Sequence, residues 1–154
     1  MVLNIPRNEA DQILFNTMAA IYQFERQKVQ LFGINYEAFY LLHFLRRRSS
    51  AKMREIAEEM NIHISTASRT VGRLEKRNLV SRKKDPVDKR SILVSLEPEG
   101  EIVVKASEDH SFETISKNLE GLSDETIQAI ITTAVHFHQI LRIPVMKSYT
   151  GESV

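Results

Sequence analysis

Between residues 69 and 90 the chain carries nine Lys or Arg residues and three acids, a formal +6. The whole chain totals +1, so the remainder carries −5. A basic stretch on an acidic body is the electrostatic footprint of a protein that touches a polyanion, and whole-chain pI hides it. Asp85 and Asp88 nevertheless stand inside the most basic part, RKKDPVDKR. Either they weaken the patch or they serve it. A carboxylate can hold an arginine fork by paired hydrogen bonds and reduce the entropy lost when that arginine binds.

The cations fall on two predicted elements. Residues from Ile64 to about Arg77 read as a helix. At 100° per residue, Ile64, Ala67, Val71 and Leu74 make an inward stripe. Ser65, Thr66, Arg69, Gly72, Arg73 and Lys76 lie opposite, with Ser68 among the candidate contacts and no acid on that face. Small hydroxyls and arginine forks suit a helix that enters a major groove, where they reach base edges and phosphates. Gly72 costs about 1 kcal/mol inside a helix; it either admits close approach of the partner or is merely tolerated. The plainer reading of such a helix is a solvated basic surface. The following residues change the weighting. LVSRKK and SILVSL are short β-rich runs, and DPVD between them has turn chemistry, with Asp85 starting the turn. Arg82, Lys83, Lys84, Lys89 and Arg90 make this hairpin cationic on both strands.

Other elements must position these two. Asn8 is a candidate N-cap for a first helix whose apolar positions recur to about Leu31, with Gly33 as its stop. Asn35 caps a second helix to about Arg47, with Ala38, Leu41, Leu42 and Leu45 on its core face. KMREIAEEM is a short third helix, and Asn61 turns the chain into the basic helix. Asn78 is a second left-handed stop before the hairpin. A long helix from about Glu99 to Leu119 follows, broken at Gly121. Ser123 caps a last helix, which Pro144 ends. The predicted fold is mainly α with a small β-hairpin wing: a winged helix-turn-helix DNA-binding core between long N- and C-terminal dimerisation helices. The boundaries are 1–34 for the first dimerisation helix, 35–100 for the DNA-binding region and 101–154 for the C-terminal dimerisation helices, in one intertwined domain.

Residues 53–100, MREIAEEMNIHISTASRTVGRLEKRNLVSRKKDPVDKRSILVSLEPEG, resemble the MarR (multiple-antibiotic-resistance regulator) family of winged-helix transcription factors. The carriers are the helix-turn-helix, the L-x-x-(R/K)-x-L-V run leading to the wing, the Asp-x-Arg of Asp88-Lys89-Arg90, the alternating apolar residues and the closing glycine. The flanking helices match in order and length. The resemblance implies a sequence-specific DNA-binding regulator, a repressor by expectation. It also implies that Arg90 enters a minor groove with Asp88 holding its guanidinium. Three positions depart from the pattern: Lys52 and His63 stand at the usual Ser/Thr caps of two helices, and Glu97 replaces a frequent Thr.

A winged helix of about 60 residues cannot cover the apolar stripes of the first and last helices, so a two-fold homodimer on a pseudo-palindromic operator is expected. Tyr36, Tyr40, His43 and Arg47 share the other face of the second helix, beside Phe39. They suit a small anionic or phenolic effector. The plainer alternative, which the sequence favours, is packing against the dimer helices with Arg47 paired to an acid. No cofactor, metal or catalytic site is expected. His136 and His138 point about 200° apart on a helix and cannot chelate together. There is no Gly-rich phosphate loop or nucleophile motif, which argues against an enzyme. A winged helix used only for protein contacts is the rival reading. The absence of cysteine, signal peptide and apolar span makes a cytoplasmic location the expectation, with no membrane partner.

Overall fold

A computed structural model describes residues 5–141. Pro144 and the C-terminal tail lie outside the described residues. The order is α1 (Arg7–Phe32), α2 (Tyr36–Arg48), β1 (Ser50–Lys52), α3 (Met53–Glu59), α4 (Ile64–Glu75), β2 (Val80–Lys84), β3 (Ile92–Leu96), α5 (Pro98–Leu119) and α6 (Asp124–Ile140).

Local chemistry sets most boundaries. Gly33 takes the left-handed conformation at φ 63° and returns its N–H to the Val29 carbonyl. Asn35 caps α2 by accepting from the Ala38 N–H at 3.0 Å. Asn61 and Asn78 are left-handed, at φ 49° and 58°, and turn the chain before α4 and before β2. Ser123 caps α6 through the Thr126 N–H. Arg77, expected inside the basic helix, lies beyond its end. Its guanidinium donates instead to the Gly33 carbonyl at 2.7 Å, at the negative end of α1.

Two features differ from expectation. The hairpin is part of a three-stranded antiparallel sheet in the order β1-β3-β2, with Ala51 opposite Val94 and Arg82 also opposite Val94. Three residues, Ser-Ala-Lys, carry no strand signal; the pairing surface of β3 makes them a strand. Ile64 is not in the core: it is 46% exposed at the first turn of α4, and Thr70 occupies the inward stripe beside Ala67, Val71 and Leu74.

The core is gathered around α2. Leu41, Leu42 and Leu45 are fully buried with Ile56 of α3, Val71 of α4, Val94 of β3 and Val104 of α5. Phe39, read as flanking the polar face, is also buried and meets Phe32 edge to face at 5.6 Å between ring centres. Gly100 fixes the junction of wing and α5. A Cβ there would lie 2.2 Å from the Leu79 carbonyl oxygen, so only glycine lets the helix start against the strand.

Candidate nucleic-acid interface

The candidate interface begins at the N-terminus of α4. His63 caps it: Nδ1 lies 3.3 Å from the Ser65 N–H and 2.8 Å from the Ser65 hydroxyl. An imidazole thus does the work of a Ser/Thr cap. Along the exposed side of α4, Thr66, Arg69, Gly72, Arg73 and Lys76 line one open groove. Arg69 leans back to the Thr66 hydroxyl at 3.4 Å and Arg73 to the Thr70 hydroxyl at 3.3 Å. Both guanidinium planes are therefore laid along the helix, each with donors left over for an anion.

Arg82 does not belong to the exposed set. Its guanidinium donates to the Ser68 carbonyl at 2.7 Å, and its Nε lies 3.5 Å from Glu75. This wing arginine is spent on bracing β2 against α4. Ser68, grouped with the groove residues in sequence, contributes that carbonyl. Gly72 faces the same brace: a Cβ there would meet the Arg82 guanidinium at 3.4 Å, an ordinary contact, so the space beside it is occupied by protein.

Lys83 and Lys84 at the end of β2 and Lys89 and Arg90 in the following loop are exposed. Asp88, Lys89 and Arg90 lie in that loop rather than on a strand, so the i, i+2 strand geometry does not apply to them. Among the described residues, the Asp88 carboxylate makes no hydrogen bond or ion pair with the Arg90 guanidinium. It accepts from the Arg90 backbone N–H at 3.2 Å and the Ser91 hydroxyl at 2.6 Å. These two donors, the hydroxyl foremost, hold its pKa below the usual carboxylate value. The role of Asp88 is thus to shape the loop backbone from which Arg90 projects. Asp85 shapes the turn as its position suggested. It accepts from the Val87 N–H at 2.9 Å, which with the Lys52 ammonium lowers its pKa, and Val87 at the tip is 93% exposed.

A second cluster lies behind the reading face. Tyr36, Tyr40, His43 and Arg47 line one cavity of about 320 Å³, joined by Glu25 and Lys28 of α1, Glu59 of α3 and Glu108 of α5. Tyr40 donates to Glu59 at 3.0 Å. His43 lies 3.5 Å from Glu108, which also holds Arg46. Burial lowers the His43 pKa; Glu108 opposes this, while Lys28, Arg47 and Arg46 add to it. Lys28 is a further member of this cluster that the basic stretch does not include. It is 7% exposed, paired with Glu25 at 3.1 Å, and lies over the Phe24 and Phe39 rings. The i, i+3 spacing to Glu25 was the available signal. Lys52, which contacts Asp85, was also missed as a site residue, because its partner is remote in sequence. Among the described residues no group of three or more His, Asp or Glu is placed to hold a metal ion, and no helix is long and apolar enough to cross a membrane.

Comparison with known proteins agrees with this geometry. Residues 34–92, from the start of α2 to the wing, match the MarR family model. The chain is 28% identical over 119 residues to the HTH-type transcriptional regulator YsmB of Bacillus subtilis, spanning 77% of this chain and 82% of that one. It is 36% identical over 70 residues to the HTH-type transcriptional repressor MdtR of the same organism, spanning 46% of this chain and 45% of that one. A MarR family protein from Bacillus stearothermophilus shares the fold with a TM-score of 0.77 at 23% identity, over 88% of this chain and 94% of that one. A variant of S. aureus MepR bound to an oligodeoxyribonucleotide shares it at 0.65 and 22% identity, over 84% of this chain and 96% of that one. The winged helix and its basic face thus accompany a MarR family match over residues 34–92 and similarity to HTH-type transcriptional regulators.

Proposed function

We propose that the protein is a cytoplasmic, effector-responsive repressor that binds a pseudo-palindromic operator as a homodimer. One observation carries the reading: a cationic, acid-free face on α4 sits in the same molecule as apolar faces on α1 and α6 that the described residues leave uncovered. Phe15, Met18 and Ile21 of α1 and Ile130, Ile131 and Val135 of α6 are all exposed. Contiguous apolar surface of this kind favours burial against a second copy. Two copies related by a two-fold axis present two α4 helices to half-sites about 10 bp apart. Occupancy of such a site at a promoter excludes polymerase. MdtR is a repressor, and the MepR variant is bound to an oligodeoxyribonucleotide; both support the reading.

The cavity behind α2 supports effector control. Its walls combine Tyr36, Tyr40 and Phe39 with the cations Lys28 and Arg47 and the imidazole of His43, a set suited to a small aromatic anion or phenol. It opens between α1, α2, α3 and α5, so a ligand there would favour one angle between the outer helices and the winged core, and with it one spacing of the reading helices.

Selection of bound DNA from a random pool tests the central claim. The expected product is an inverted repeat, with log affinity falling linearly in log salt. A single asymmetric half-site, bound by a species that sediments as a monomer, would overturn it. For the effector, Tyr40→Ala and His43→Ala should reduce release of that DNA by phenolic carboxylates; unchanged release would remove the cavity from the reading.

A further inference from the structure

We propose that Lys52, outside the wing, is a positioning residue for the wing's exposed cations and acts on them through Asp85 and Asp88. The inference rests on the reading that the wing meets DNA. Lys52 ends β1, at the edge of the sheet opposite β2. Its ammonium lies 3.2 Å from Asp85 Oδ2 and 3.9 Å from Asp88 Oδ2.

Each acid divides its two oxygens. Asp85 gives Oδ1 to the Val87 N–H, and Asp88 gives Oδ1 to the Arg90 N–H. The Oδ2 atoms of both turn toward Lys52, with Asp88 Oδ2 also taking the Ser91 hydroxyl. The backbone closes the same loop, since the Asp85 N–H donates to the Ser91 carbonyl at 3.0 Å. Lys89 and Arg90 stand between these fixed points. An isolated surface ion pair would matter little. Here one partner, Asp85, is only 7% exposed, and the cation lies between two carboxylates that repel each other without it. Lys52 is held a second way, for its backbone N–H donates to Glu55 at 2.7 Å at the start of α3. The loop is therefore referenced to the helix-turn-helix rather than to its own strands alone.

The rival account is that Lys52 touches a phosphate itself. A cycle with Arg90 separates the two. Affinity for pool-selected DNA is measured across a salt series for the full chain, Lys52→Met, Lys52→Arg, Arg90→Ala and Lys52→Met with Arg90→Ala. Positioning predicts a loss of about tenfold for Lys52→Met, near-full retention in Lys52→Arg, and a loss of under about twofold when Lys52→Met is added to Arg90→Ala. Equal loss in both backgrounds, with the log–log salt slope reduced by about 0.9, marks a direct phosphate contact and overturns the proposal. So does unaltered binding by Lys52→Met. If Lys52→Met does not fold, Asp88→Asn, which keeps the Asp85–Lys52 pair, enters the same cycle, and additivity with Arg90→Ala overturns the proposal there too. Failure of the unaltered chain to bind any DNA at low salt would overturn the DNA reading itself, and the proposal with it.

Discussion

Leu41, Leu42 and Leu45 on α2 are wholly buried, while Phe15, Met18 and Ile21 on α1 and Ile131 and Val135 on α6 face outward. α2 meets protein on most sides, whereas Lys28 is the one buried residue of α1 and α6 has none. Among the described residues, the winged core is thus covered by other elements, and the outer faces of α1 and α6 are not. The difference separates two groups that a single hydrophobic pattern would conflate: apolar residues that hold the fold, and apolar residues that the proposed homodimer would bury.

The sharpest way to break this comparison is to attack each side in turn. Leu42→Ala should cost about 2–5 kcal/mol in urea unfolding, as expected for a large-to-small change at a filled site. A loss no greater than that of an exposed Leu would mean the core is not where the burial places it. Ile21→Asp combined with Ile131→Asp should keep the helical circular dichroism but abolish the rise of melting temperature with protein concentration. If that rise survives, the outer faces are not the association surface.

The same division runs through the basic residues. Arg82→Ala should lower stability by about 1.5–3 kcal/mol, the range for a lost charge-assisted hydrogen bond, with the salt slope of DNA binding unchanged. Arg73→Ala should do the reverse, reducing the slope by about 0.9. Gly72→Ala sharpens the point, because the Arg82 guanidinium lies 3.4 Å from where its Cβ would stand. It should raise stability by up to about 1 kcal/mol through helix propensity and leave DNA affinity intact; a fall in affinity would restore the close-approach reading.

The smallest effect is expected at His43. Its folded-state pKa lies below its ordinary value of 6.5, so the unfolded chain binds the proton more readily. The associated stability is complete above 6.5 and is lost as pH falls toward the folded pKa. His43→Gln should flatten that decline in a pH series of unfolding midpoints, and an identical decline in the variant would place its origin elsewhere.

The elements were legible in the sequence where the backbone itself dictates a choice. Gly33, Asn35, Asn61, Asn78 and Ser123 each specify a turn or cap locally, and the structure uses all five. β1 was illegible because a three-residue strand has no periodicity and exists only through its partner. The charge of the candidate interface was legible, and the contacts of two of its members were not. Arg82 and Asp88 are typical members of a basic wing in composition, yet their partners are the Ser68 carbonyl and the loop backbone. Ile64 obeyed the helical period but fell on the first turn, where no neighbouring element covers it. Lys52 and Lys28 owe their surroundings to contacts that form only after the chain has folded, and Glu59 enters the cavity wall from a different helix than Tyr40.

The seat of Gly100 against Leu79 has a mechanical consequence. Because α5 starts one residue after β3 and the Glu97 N–H is bonded to the Leu79 carbonyl, there is no hinge between the wing and this helix. Its 22 residues make a rigid arm about 33 Å long. A swing of about 5° at one end moves the other by about 3 Å, roughly the rise of one base pair in duplex DNA. A glycine too cramped to become alanine thus turns a long helix into a lever, whose far end moves with the wing.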